Sequence, residues 1–225
     1  MARGLSNPPV LAEIAAPPAD EARTWRLRRS DYEMLGSLIG AVREARVVLV
    51  TGEGEGKSAA AIGLATVAAA TGRRTALLEC DLCRPGLATS LGLTRAPGLH
   101  EYLRCEASAP EILQPLVLAG PASNGAVAPL ICIVAGAATA DAAPLLASDD
   151  FAHATSKLRN AYDLLVVDGP PMAGGDGALA GLASKVDATL ACVPRSRLRR
   201  GKPTKRLRQE LRRLPTPATG LVVFD

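Results

Sequence analysis

An α/β domain, a doubly wound and mainly parallel sheet flanked by helices, is what this sequence predicts, and three observations predict it. Apolar runs of strand length alternate with helical segments along most of the 225 residues. The residues are 48% apolar but only 3% aromatic, so the core is aliphatic, as in a parallel sheet covered on both faces. The first strong apolar run leads straight into a glycine-rich loop and an alanine-rich segment, "VVLVTGEGEGKSAAAIGLATVAAATG" at 47–72.

Taken in order, residues 1–28 are rich in Pro and Ala without a sustained period and read as a flexible N-terminal extension, with Trp25 as the candidate to dock it. Residues 29–225 read as one domain. Ser30 and Glu33 have capping-box spacing and open a helix running to about Arg46. "RVVLV" is the first strand, 57–71 a helix that stops at Gly72, and "TALLEC" the second strand. Short helices are expected around 98–104 and 109–117, a third strand within "APLICIVAG", and a helix at 149–160. "YDLLVVDGPP", "DATLACVP" and "TGLVVFD" complete the strands. No internal repeat is visible.

Charge is unevenly placed. The segment "RSRLRRGKPTKRLRQELRR" at 195–213 holds ten Lys or Arg against the single Glu210. Within it Leu207, Leu211 and Leu214 make one apolar stripe, the signature of a helix with a solvated basic face. Such a face suits the anionic headgroups of a membrane. Nucleic acid is disfavoured as a partner, because the segment has no aromatic residue to stack on bases. Five cysteines do not read as a disulfide framework. Cys80 and Cys83 form a C-x-x-C, but no second such pair accompanies it, which argues against zinc or redox use. There is no signal-peptide stretch and no run near the ~18–20 apolar residues that span a bilayer. A cytoplasmic location is expected, with peripheral contact at the inner face of the membrane.

"TGEGEGKS" at 51–58 has the spacing of a P-loop, with Thr51 where the first glycine normally stands. Gly52, Gly54 and Gly56 let the backbone wrap so that successive N–H groups point at an anion. Glu53 and Glu55 contribute main chain to that cradle while their side chains project away from it. Lys57 can reach the β and γ phosphates of a nucleotide, the Ser58 hydroxyl can ligand Mg²⁺, and Ala59 lies at the positive N-terminal end of the helix. Further on, "ALLECDLCRPGL" puts Glu79 and Asp81 at the end of the second strand, and "VVDGPP" puts Asp168 at the end of the fourth. Carboxyl ends of parallel strands line one crevice, so three carboxylates are expected to converge beside Lys57 and Ser58. That set suits Mg²⁺ with a triphosphate. Each motif also has a plainer reading: a glycine-rich turn, a helix cap at Asp168, a turn at Asp81.

Together "GEGKS" at 54–58, "ECDLCRP" at 79–85 and "VVDGPP" at 166–171 resemble the bacterial tyrosine kinase family, the capsule and exopolysaccharide regulators among the MinD/ParA-like P-loop ATPases. Weaker echoes are "GLHEYL" at 98–103, "PLLAS" at 144–148 and "VDATLACVP" at 186–194. The resemblance implies that Lys57 and Ser58 bind phosphate and Mg²⁺, that Asp81 is a catalytic carboxylate with Glu79 beside it, and that Asp168 holds Mg²⁺ through water. It further implies an ATP-dependent protein-tyrosine kinase acting with a membrane-embedded polysaccharide co-polymerase or adaptor.

Several positions depart from the family pattern. Glu79 replaces an aspartate, Cys83 stands where arginine is usual, and the loop lacks the family's proline. A homo-oligomer is among the partner readings, but the Glu-x-x-Arg-x-x-Arg pattern by which family members form rings is absent. The tyrosines are Tyr32, Tyr102 and Tyr162, none near Asp225. The alternatives are therefore a nucleotide-binding regulator of the same pathway with little kinase activity, or a MinD/ParA-type partition or positioning ATPase.

Overall fold

The computed structural model describes residues 8–14, 29–54, 56–116, 129–174 and 176–224. Its sheet is built from β1 (Val10–Ile14), β2 (Val47–Gly52), β3 (Thr75–Glu79), β4 (Gln114–Leu116), β5 (Leu130–Ile133), β6 (Leu164–Pro171), β7 (Ala188–Pro194) and β10 (Ala218–Phe224). Their order is β1-β10-β7-β2-β6-β3-β5-β4, parallel at every pairing except β4 with β5. This is the mainly parallel, doubly wound sheet the sequence predicts.

Period-two alternation divides the strand side chains between two cores. Leu49, Leu78 and Val167 face one side, where α4 (Leu99–Leu103), α6 (Ala142–Ala147), α7 (Asp149–Ala161), α8 (Asp176–Leu182) and α9 (Lys205–Arg213) supply Leu99, Leu146, Phe151, Leu179 and Leu207. Val48, Val50 and Val166 face the other, covered by α1 (Arg29–Ala41), α2 (Gly56–Ala70) and α3 (Leu87–Leu91). Nearly all of α2 is buried. That explains its alanines: a helix enclosed on all sides needs apolar residues all round, and small ones let it lie close to the sheet.

The structure revises four details of the sequence reading. Val10–Ile14, inside the expected flexible extension, is a strand pairing with β10. Five residues in a Pro- and Ala-rich context carry too weak a local signal. Tertiary contacts hold them: Leu221 N–H donates to Pro9 O at 2.8 Å, Ser37 Oγ to Leu11 O at 3.2 Å, and Arg195 pairs with Glu13 at 2.6 Å. Trp25 lies outside the described residues. The helix expected over 109–117 is only α5 (Ala109–Ile112), followed by the short β4. Pro115 cannot continue a helix, and on an edge strand its missing N–H costs nothing. The first helix ends at Ala41, before the expected Arg46, and the side chains of its Ser30–Glu33 pair lie outside the described set. Finally, the basic segment contains a small hairpin, β8 (Leu198–Arg199) with β9 (Lys202–Pro203), turning through Arg200 and Gly201, both at positive φ.

Asp187 pins the start of the central strands. Its Oδ2 accepts from the N–H groups of Arg46 and Val47, both at 2.9 Å, and its Oδ1 pairs with Arg159 at 2.9 Å. Burial would push this carboxyl up, but those donors win and hold it below its usual value of 3.8. A depressed carboxyl stabilises the fold above its unfolded pKa and loses that contribution as pH falls through the folded one. Asp187→Asn is therefore expected to cost about 1 kcal/mol at neutral pH. Denaturant titrations should show the difference from the unaltered chain shrinking as pH drops below about 3.8.

Candidate functional site

Strand order assembles the site. β6 lies between β2 and β3, with Asp168 in register opposite both Val50 and Glu79. The glycine-rich loop leaves β2 at its carboxyl end and enters α2, so Lys57 in the first helical turn overhangs the end of β6. Its ammonium donates to Asp168 Oδ1 at 2.6 Å and to the Gly169 carbonyl at 2.6 Å, with Asp81 Oδ2 at 3.7 Å. All three side chains are buried.

Their electrostatics follow from that burial. Desolvation alone would depress the Lys57 ammonium, but the charge and hydrogen bond of Asp168, joined by Asp81, raise it above its usual value. Burial pushes the Asp81 carboxyl up, while Lys57 and Arg84 pull it part of the way back. The second oxygen of Asp168, Oδ2, is buried and has no hydrogen-bond partner. A buried anionic oxygen left unpaired is costly, and it marks a place where a donor or a cation's water shell fits.

Glu79 does not join this group. Its Oε1 accepts from the N–H groups of Gly86 and Leu87 at 2.6 and 2.8 Å, and its Oε2 from Ala135 N–H at 2.8 Å. The carboxylate thus ties β3 to the start of α3 and to the segment just after β5. Burial pushes its carboxyl up, and the three amides pull it down without cancelling the effect. The expectation of a catalytic carboxylate at Glu79 gives way to a positioning role, because both oxygens are committed to main chain. Two carboxylates, not three, converge on Lys57. Among the described residues no group of three or more His, Cys, Asp or Glu could hold a metal ion unaided.

The loop is braced from outside. Gly52 has φ of +146°, and a side chain there would strike the Cys192 carbonyl of β7. Glu53 N–H donates to that same carbonyl at 3.0 Å, so this amide faces β7 and is not one of the inward donors expected of it. Gly54 has φ of +63°, and the Phe224 ring packs against both Gly54 and Gly56. Thr51, in place of the usual glycine, donates its hydroxyl to the Pro170 carbonyl at 2.8 Å. Ser58 is half-buried, Ala59 is buried, and Glu55 lies outside the described residues. The Glu53 side chain points away from the loop, as expected, and pairs with Arg197 at 3.0 Å. Arg197 and Phe224 escape sequence reading: one is hidden in a run of cations, the other carries no motif. Cys80 is buried and Cys83 exposed, both as free thiols, and burial pushes the Cys80 thiol well up.

A glycine-rich loop between a parallel strand and a buried helix, with its lysine facing acids from neighbouring strand ends, is the architecture of a MinD/ParA-like P-loop NTPase. No protein-family profile matches the chain. It is 32% identical over 182 residues to the "Succinoglycan biosynthesis transport protein ExoP" of Rhizobium meliloti (strain 1021), covering 78% of this chain and 20% of that one. It is 30% identical over 132 residues to "Tyrosine-protein kinase YwqD" of Bacillus subtilis (strain 168), covering 58% and 52%. The kinase domain of the Escherichia coli tyrosine kinase ETK superposes with a TM-score of 0.76 at 20% identity, covering 96% of this chain and 90% of that one. The chain is similar to bacterial tyrosine kinases and exopolysaccharide regulators in sequence, and shares the fold of a tyrosine kinase domain. It spans only about a fifth to a half of the length of the curated relatives it matches.

Proposed function

We propose that this domain binds Mg·ATP and works as a protein-tyrosine kinase that regulates exopolysaccharide synthesis and export. The observation that carries the reading is the Lys57–Asp168–Asp81 group beneath the glycine-rich loop, with Asp168 Oδ2 buried and unpartnered. The loop amides from Gly54 to Ala59 and Lys57 would hold the phosphates, and Ser58, Asp168 and Asp81 the Mg²⁺. When bound, Mg·ATP supplies a γ-phosphoryl group for transfer to a hydroxyl.

The chain's own part is binding and proton handling. Lys57 exchanges Asp168 and the Gly169 carbonyl for phosphate oxygens and so brings its charge to where negative charge develops. Asp81, buried beside Lys57, would orient the incoming hydroxyl and accept its proton. That similarity supports a membrane-embedded polysaccharide co-polymerase as the activating partner. The exposed cations Lys205, Arg206, Arg212 and Arg213 of α9, with Arg199, Arg200 and Lys202 of the hairpin, support contact with an anionic membrane surface. No helix among the described residues is long and apolar enough to cross a membrane.

Incubation with γ-labelled ATP and Mg²⁺, with and without the cytoplasmic segments of a candidate co-polymerase, tests this reading. Label on tyrosine is the expected result. Nucleotide binding without transfer would leave a regulator of the same pathway, and phosphate release stimulated by DNA or lipid would point to a positioning ATPase. Anionic vesicles should retain the protein at low salt and release it at high salt, and neutral vesicles should not retain it.

A further inference from the structure

Resting on the nucleotide-binding reading and deepening it, we infer that Arg197 is a positioning residue for the phosphate loop, acting through Glu53. A glutamate in a loop that holds a polyanion sets a negative charge beside its own ligand. Here that charge is not left to solvent. Its side chain is 28% exposed and pairs at 3.0 Å with an Arg197 side chain that is 19% exposed, so bulk water and salt screen the pair only in part.

Both ends of this pair are fixed. The Glu53 backbone is tied to β7 through the Cys192 carbonyl, and the Arg197 carbonyl accepts from Thr204 N–H at 3.0 Å, at the N-cap of α9. Nη2 of Arg197 serves Glu53 and also Glu210 of α9. Its Nε is buried without a hydrogen-bond partner, so the two acids, not its immediate surroundings, set where the guanidinium lies. Arg206 also reaches Glu210, at 3.1 Å, but its side chain is 81% exposed and that pair is a surface contact of small effect. Across the loop the Phe224 ring packs on Gly54 and Gly56. The loop is therefore clasped on its outer side by a ring and by one neutralising arginine. Arg197 keeps Glu53 turned away from the phosphates and cancels its charge.

The test is a double-mutant cycle read by calorimetry with Mg·ATP. Arg197→Gln is expected to weaken binding about tenfold. Arg197→Lys, which keeps the charge, should recover most of that loss. In a Glu53→Gln background the same Arg197→Gln change should alter affinity by less than about twofold. The loss should also be smaller for Mg·ADP, which carries less negative charge. Equal losses in both Glu53 backgrounds would mean that Arg197 acts only through α9, and an unchanged affinity of Arg197→Gln would mean that it does not act on the loop; either overturns the inference alone. No binding of Mg·ATP by the unaltered chain would overturn the nucleotide reading and this inference with it.

Discussion

Lys57→Ala is expected to abolish detectable Mg·ATP binding, a loss of at least about 100-fold, and to weaken the fold as well. The first effect follows from the position of the ammonium beneath the glycine-rich loop. The second follows from burial: Lys57 is 5% exposed and Asp168 1%, at 2.6 Å from each other. Removing one member of a buried pair strands the other as an uncompensated charge, at a cost of about 3–5 kcal/mol. Lys57→Ala with Asp168→Asn should regain part of the stability and none of the binding, which separates the two effects in one pair of denaturation and calorimetry experiments. A raised lysine stabilises the fold fully below its unfolded pKa and loses that contribution as pH climbs through the folded one. In the unaltered chain the loss therefore begins only above about 10.5. Nucleotide affinity preserved in Lys57→Ala would rule out this site.

Glu79→Ala should damage the fold as severely as Lys57→Ala does. It orphans three backbone N–H groups, those of Leu87 and Ala135 buried and that of Gly86 partly so. Buried unsatisfied donors cost about 1–3 kcal/mol each, and relaxation recovers some of that, so about 3–5 kcal/mol is expected in denaturant unfolding. Glu79→Gln keeps one acceptor but turns a donor toward donors, and should cost about 1–3 kcal/mol. Under conditions where Glu79→Gln is fully folded, its phosphoryl transfer should stay within a few-fold of the unaltered chain. A Glu79→Gln variant that is as stable as the parent but inert would restore the catalytic reading of this carboxylate.

What could be read from the sequence was what strong local patterns encode. The apolar runs of β2, β3, β6 and β7 and the alanine-rich α2 stand in the structure where the sequence places them, because each is long and strongly patterned. The meeting of Lys57 with Asp81 and Asp168 was legible too, since carboxyl ends of parallel strands share one rim. The fate of Glu79 was not: which way a strand-end carboxylate turns depends on amides seven and 56 residues away. Nor was β1, whose five residues gain their pairing from the far end of the chain. Arg197 could not be singled out among ten cations, because only packing tells a half-buried arginine from its solvated neighbours.

The pairing of β1 with β10 has a consequence for how the domain comes together. Val10–Ile14 lies beside Leu221–Phe224 in parallel register, and closing a loop of roughly two hundred residues makes this the entropically most distant contact of the sheet. During synthesis, the hydrogen-bonding rim of the early segment must wait without its partner strand until β10 has been made. Phe224, which props the glycine-rich loop, belongs to β10, so competence to hold an anion would mature in the same step that seals the sheet's margin.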